Sequence, residues 1–279
     1  MNYKMICIDM DGTLLNSKKN LSEVNKIALK KAYDDGVHII ICTGRNSRSA
    51  LYFANEIGIE SAVIANNGAL VIDESGEVLI FKEALEKVQC EKILEISNKY
   101  KTIPNFHALG KIYLNSKFRM FINNMFFNRN VPEKYKIKNI YLKKSSEWTS
   151  LFDAKTEVFG KCIMLDPSKS KLKQIENELK NTNMFELTYS GKYCLEINSK
   201  DVSKGRAVKM LGEHYGIKKE EIICIGDNGN DISMLKYAGL GVAMKNGTQA
   251  VKDISDYITD TNDNNGVAKV VEKFIFNKE

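Results

Sequence analysis

Four short stretches of this chain place chemistry-bearing side chains where apolar segments end. The first is Asp9-Met10-Asp11-Gly12-Thr13-Leu14-Leu15, directly after the apolar run 5–8. A strand alternates its side chains with period two, so an extended segment turns Asp9 and Asp11 to one side, and Gly12 permits a tight turn that brings them round a common point. Two carboxylates that close do not both ionise without a shared proton or a hard cation. Magnesium is the natural candidate.

The second stretch, Thr43-Gly44-Arg45, ends the apolar run 37–42 and precedes a helical pattern. A hydroxyl, a glycine-exposed N–H and a helix start together suit a phosphoryl oxygen, although a plain strand-to-helix turn has the same composition. The third, Gly226-Asp227-Asn228-Gly229-Asn230-Asp231, follows the run 222–225 and adds two carboxylates. Oxygen ligands without thiols favour Mg²⁺ over zinc. The fourth is Lys204, within Val202-Ser203-Lys204-Gly205 at the start of a helical pattern. It brings a positive charge to an otherwise acidic set.

The elements that must carry these stretches alternate. Strand-like segments 5–8, 37–42 and 62–65 are separated by helical patterns at 22–33 and 47–57, which is the signature of a parallel sheet with crossover helices. The same alternation resumes late, with helix 204–215, strand 222–225, helix 232–237, strand 240–243 and a helix from Val267. Both ends therefore read as halves of one α/β, Rossmann-like core. Between them the pattern changes to hairpin-like pieces around 106–114 and helical periodicity at 85–100 and 169–180. The expected organisation is a core of residues 1–82 and 191–279 with an inserted α+β domain at 83–190.

Composition narrows the class. With 43% hydrophobic and 27% charged residues the chain is of ordinary globular type, and no apolar run approaches the roughly 20 residues that span a bilayer. A strand pattern that begins by Lys4 leaves no room for a cleavable leader, so a cytoplasmic location is expected. Cys7, Cys42 and Cys224 lie in apolar strand runs and no C-x-x-C occurs, which favours buried reduced thiols. His38, His107 and His214 share no ligand spacing and read as structural, with His107 also open to a role in a ligand pocket. The net charge of +6 lies in the middle segment, where residues 83–190 hold 19 Lys/Arg against 12 Asp/Glu. Such a surface attracts small anions, and the cluster Lys134, Lys136, Lys138, Lys143 and Lys144 is most simply a solvated face.

Taken together, the four stretches resemble the haloacid-dehalogenase superfamily of phosphohydrolases, and within it the Cof-type phosphatases. All four occur in the family's order, and the likeness spans essentially the whole chain. The resemblance implies a phosphatase in which Asp9 is the nucleophile and Asp11 the general acid and base. It implies phosphate binding by Thr43, Gly44, Lys204, Asn230 and the Met10 amide. The magnesium ligands it implies are the Asp9 carboxylate, the Asp11 carbonyl and Asp227, with Asp231 as a nearby supporting acid and Gly12 and Arg45 as further supporting residues. Asn228 stands where Ser or Asp is also common in the family.

Spacing bears on where a domain can be inserted. Only 32 positions separate Asp11 from Thr43, which one crossover helix fills, whereas 161 separate Thr43 from Lys204. The late insertion resembles the family's C2 cap, in its C2B form. Asn66-Asn67-Gly68-Ala69 is similar to a family element that sets Asn67 near substrate, and reads equally as a hairpin turn into residues 70–73.

The expected partner is a small phosphorylated metabolite, a sugar phosphate or phosphorylated cofactor, rather than nucleic acid or a membrane. A monomer or weak homodimer is expected. A phosphomutase or phosphotransferase passing the same aspartyl-phosphate to a hydroxyl, and a non-catalytic sensor of phosphorylated metabolites, are the alternatives. Selectivity is expected from cap residues, with Phe106, Tyr113 and Arg119 open either to ligand or to the cap's own core.

Overall fold

A computed structural model describes residues 3–129 and 131–277. The chain begins with β1 (Met5–Ile8), α1 (Glu23–Asp34), β2 (His38–Cys42), α2 (Ser47–Ile57), β3 (Val63–Ala65), β4 (Leu70–Ile72) and β5 (Leu79–Lys82). There follow α3 (Lys87–Lys99), β6 (Ile103–Ala108), β7 (Lys111–Leu114), α4 (Lys117–Phe127), β8 (Lys138–Tyr141), α5 (Ser145–Ala154), β9 (Lys161–Leu165), α6 (Lys169–Asn181), β10 (Phe185–Tyr189) and β11 (Cys194–Ser199). It ends with α7 (Lys204–Tyr215), β12 (Ile222–Gly226), α8 (Ile232–Tyr237), β13 (Leu240–Ala243), α9 (Gln249–Lys252), β14 (Tyr257–Ile258) and α10 (Gly266–Val271).

Two compact units result. One comprises the chain up to Arg45, Ala50–Phe81 and the chain from Ser203 onward; the other is Lys82–Val202 with Asn46–Ser49. The first holds a sheet of order β14-β13-β12-β1-β2-β3-β4-β5. It is parallel from β14 to β3 and turns antiparallel at β4. Every residue of β1 is fully buried. That is why this strand reads as a continuous apolar run rather than an alternating one: helices cover both faces of a parallel sheet. Asp9 and the residues after Cys42 and Gly226 consequently lie at the carboxyl ends of neighbouring strands, where open α/β sheets bind ligands.

The second unit is built on the sheet β10-β11-β9-β6-β7-β8. One face packs with α3, α5 and α6 into an apolar core of Phe106, Tyr113, Trp148, Phe152, Phe159, Cys162, Leu172 and Ile175, among others. Phe106 and Tyr113 are thereby assigned to this core, and the Arg119 guanidinium donates to the Leu165 carbonyl at 3.3 Å. The boundary expected at residue 190 lies instead after Val202. The reason is β11, which pairs antiparallel with both β10 and β9 and so is an interior strand of this second sheet.

Five of the six cysteines are buried and all are free thiols. No helix among the described residues is long and apolar enough to cross a membrane.

Candidate active site

Asp9 is the first residue beyond β1, and its N–H donates to the Ile225 carbonyl of β12 at 3.0 Å, which carries the sheet ladder up to the site. The chain then folds back sharply, with Leu14 N–H donating to Asp9 O at 3.1 Å and Leu15 N–H to Met10 O at 2.9 Å. Gly12 makes this turn at φ +91°, a left-handed conformation that side-chain-bearing residues rarely adopt. A Cβ there would also sit 2.5 Å from Asp227 Oδ2. The turn and the third stretch therefore need glycine for two separate reasons.

Lys204 is the first residue of α7, whose N-cap Ser203 accepts from the Arg206 N–H at 3.2 Å. The cap fixes where the helix starts and so where the lysine emerges. Its side chain is fully buried, with Nζ 2.5 Å from Asp9 Oδ1 and 2.6 Å from Asp231 Oδ1. Burial works to lower the Lys204 pKa, but Asp231 and Asp9 overcome it and hold the ammonium charged. Asp231 spends its other oxygen on the backbone N–H groups of Asp227 and Asn228, at 2.9 Å each. It fixes the lysine and the Asp227 loop at once.

Asp227 accepts from the Thr13 hydroxyl at 2.8 Å, which ties the first stretch to the third. Burial, reinforced by Asp231, pushes its carboxyl up to about 6 against the Thr13 hydrogen bond. Burial likewise pushes Asp9 up; Lys204 opposes this, while Asp231 and Asp227 add to it. Oxygens of Asp9, Asp227 and Asp231 all lie within 4.8 Å of one another. The donors are all carboxylate oxygen and the anions crowd one another, so the residues present fit a hard divalent cation of the magnesium kind.

The Asp11 carboxylate is not among that group; it is drawn to two cations instead. Arg45 grips it bidentately, Nε to Oδ2 and Nη2 to Oδ1 at 2.7 Å each, and Lys19 Nζ lies 2.8 Å from Oδ1. Burial would raise Asp11, but the Arg45 and then the Lys19 interactions bring it down to about 2. The chain leaves the extended geometry at the turn that begins with Met10, and the Asp11 side chain engages Arg45 and Lys19.

Thr43 is 1% exposed, and its hydroxyl accepts from the Arg45 N–H at 3.1 Å across Gly44. Its carbonyl accepts from Asn67 N–H at 3.1 Å, and the Asn67 side chain accepts from Asn230 Nδ2 at 3.3 Å. The Asn66–Gly68 turn is thus a hairpin link between β3 and β4 and also a member of the cluster. Gly68, at φ +99°, would place a Cβ 2.3 Å from the Ser203 carbonyl, so it lets the turn lie against the start of α7.

The structure brings Asp9, Asp11, Gly12, Thr43, Gly44, Arg45, Asn67, Lys204, Asp227, Asn230 and Asp231 to the strand ends of the first unit, with Met10 buried in the turn between the first two carboxylates. Two participants were not anticipated. Thr13 could have been found from its place inside the first stretch, beside Gly12. Lys19, eight residues beyond Asp11, carries no local signal.

Comparison with known proteins follows the same residues. The pattern of the family described as haloacid dehalogenase-like hydrolase matches residues 6–271. The chain is 31% identical over 277 residues to 5-amino-6-(5-phospho-D-ribitylamino)uracil phosphatase YcsE of Bacillus subtilis, covering 99% of this chain and 97% of that one. It is 32% identical to phosphatase YwpJ of the same organism, covering 98% and 100%. Among solved structures, a haloacid dehalogenase-like hydrolase from Bacteroides thetaiotaomicron superposes with TM-score 0.83 at 28% identity, covering 98% and 99%.

Proposed function

The chain belongs to the haloacid dehalogenase-like hydrolases, and from that premise we propose that it is a Mg²⁺-dependent phosphatase of small phosphorylated metabolites acting through an aspartyl-phosphate at Asp9. The observation that carries this is a buried carboxylate, Asp9, held by a buried ammonium at the end of a central strand beside a set of oxygen donors suited to a hard cation. A relative named for a phosphate ester on a ribityl chain supports substrates of the sugar-phosphate or polyol-phosphate class.

Asp9 attacks phosphorus while the phosphorus–oxygen bond to the leaving alcohol breaks, and Asp11 gives that oxygen a proton. Water then attacks the phosphorus of the aspartyl-phosphate, losing a proton to Asp11, and inorganic phosphate leaves with Asp9 regenerated. The arrangement observed, with Arg45 and Lys19 on Asp11, favours the ionised form that the second step uses as base. The first step requires Asp11 to carry a proton. Lys204, the Thr43 hydroxyl and the Asn230 amide are the donors suited to the phosphoryl oxygens, and Lys204 also holds Asp9 in place. A bound Mg²⁺, held by the Asp9 carboxylate, the Asp11 carbonyl and Asp227, would neutralise charge on the transferring group.

The test is phosphate release in Mg²⁺ from sugar phosphates, pyridoxal phosphate, flavin mononucleotide and nucleotides. Release without an added acceptor, broad and modest with the sugar phosphates foremost, is expected. Release only when an acceptor hydroxyl is supplied would make the protein a phosphotransferase instead, and tight binding without turnover would make it a sensor.

A further inference from the structure

Lys19 belongs to the first unit, in the short loop between Leu15 and Leu21, which pair as an isolated antiparallel bridge. Its backbone stands at φ +63°, a left-handed conformation that glycine or asparagine adopts more readily than lysine. Asn16 closes the loop: its Oδ1 accepts from the Lys18 and Asn20 N–H groups at 3.0 Å each, and its carbonyl accepts from Lys19 N–H at 2.8 Å. An unfavourable backbone position persists only where its surroundings impose it.

Those surroundings come from late in the chain, within the same unit. Asn246 Nδ2 donates to Gly12 O at 2.8 Å, Asn262 Nδ2 donates to Leu15 O at 2.9 Å, and Ser17 gives both its N–H and its hydroxyl to the Asp263 carboxylate. Asn262 N–H also donates to Asn246 Oδ1 at 2.9 Å, which joins two of these grips. The loop is fastened at Gly12, Leu15 and Ser17, so the point from which Lys19 extends is fixed.

The Lys19 ammonium reaches Asp11 Oδ1 at 2.8 Å with 60% of the side chain still exposed. One of its three N–H groups is spent there, and the other two have no partner among the described residues. Arg45 alone engages both Asp11 oxygens, so Lys19 is not needed to hold that carboxylate. It adds a second positive charge beside one negative charge, and the local balance is cationic. A strained, firmly anchored lysine with unspent donors beside an already gripped carboxylate is placed for a further acceptor.

In the phosphatase reading Asp11 protonates the leaving oxygen, and that sets a distance. A leaving oxygen within hydrogen-bond reach of Asp11 lies no more than about 6 Å from Lys19 Nζ. An acceptor carried a short way along the leaving group closes that gap with one charge-assisted hydrogen bond.

We propose that Lys19 is a specificity-determining residue that binds an oxygen acceptor, a carboxylate or a hydroxyl, carried within two carbons of the ester oxygen on the leaving group. This rests on the phosphatase reading in taking Asp11 to face the leaving oxygen. Phosphate esters of hydroxy acids and polyols meet the requirement, and simple alkyl phosphates do not.

The experiment compares kcat/KM for 2-phosphoglycolate and ethyl phosphate, esters of equal chain length, in the wild type and Lys19→Gly, with urea unfolding alongside. Glycine relieves the left-handed position, so Lys19→Gly should fold and be at least as stable as the wild type. Both rates fall, because Lys19 also touches Asp11, but phosphoglycolate should fall about tenfold further, as for one charged hydrogen bond at a half-exposed site. A parallel decline of both substrates would overturn the assignment and leave Lys19 a partner of Asp11 alone. A second measurement needs no turnover: calorimetric titration of each ester in Mg²⁺ into Asp9→Asn, with and without Lys19→Gly. The preference for binding phosphoglycolate is expected to drop about tenfold when Lys19 is removed. No drop overturns the subsite even if the wild type hydrolyses both esters, whereas a drop without any hydrolysis by the wild type sinks the phosphatase reading and keeps the subsite.

Discussion

Lys204 Nζ lies 2.5 Å from Asp9 Oδ1 with the lysine side chain fully buried, so a cation from the start of α7 is fixed to a carboxylate at the end of β1 across 195 residues of sequence. The inserted unit occupies most of that interval, and the pair forms only when both halves of the first sheet are assembled.

That pairing makes Lys204 a test of stability and chemistry together. Lys204→Met leaves Asp9 and Asp231 buried without their shared cation, and removal of one partner from a buried ion pair costs about 3–5 kcal/mol. We expect a lowered urea midpoint and a fall in phosphate release of about a hundredfold or more. Wild-type stability in Lys204→Met would show that Asp9 and Asp231 are not held by this lysine.

Gly12 serves the turn and the approach of Asp227 at once. Gly12→Ala places a methyl group on the Asp227 carboxylate and strains a left-handed position, for about 1–3 kcal/mol. The Mg²⁺ concentration for half-maximal activity should rise several-fold, because Asp227 is displaced. An unaltered Mg²⁺ titration would remove Asp227 from the proposed ligand set.

Thr13 holds Asp227 by one hydrogen bond, and Thr13→Val keeps the shape while deleting the donor. The expected result is weaker Mg²⁺ activation with kcat at saturating Mg²⁺ reduced less than about tenfold. Equal losses at all Mg²⁺ concentrations would point to a role other than orienting Asp227.

Acid stability of the second unit should depend on Glu176. Its carboxylate accepts from Lys180, Lys173 and Tyr189, and these outweigh burial to bring it down to about 2. A depressed carboxylate stabilises the fold above its ordinary pKa of about 4.5 and loses that contribution as pH falls toward 2. Glu176→Gln should therefore unfold at lower urea than the wild type at pH 7, with the gap closing between pH 4.5 and 2. A gap that stayed constant over that range would assign the effect to packing.

Much of this was legible in the sequence, for identifiable reasons. The starts of α2, α7 and α8 fall where Ser47, Lys204 and Ile232 were expected, because caps and strand ends punctuate the chain locally. β10 and β11 carry little sequence signal, since 185–199 mixes polar and apolar residues without a strong turn signal, and the second unit consequently extends further than the sequence pattern suggests. The Asp11–Arg45 pair was invisible because 34 residues separate its members. The burial of Asn105, His107 and Lys161 in the second sheet was equally hidden. Alternation says which residues share a face, but tertiary packing decides whether that face meets water.

The claim that Asp9 accepts the phosphoryl group is tested most directly by trapping it. Acid quench during turnover, reduction with sodium borohydride and peptide mass analysis convert an aspartyl-phosphate to homoserine. The account predicts homoserine at position 9, dependent on substrate and Mg²⁺ and lost in Asp9→Asn. Reduction at another residue, or none while phosphate is being released, would contradict it.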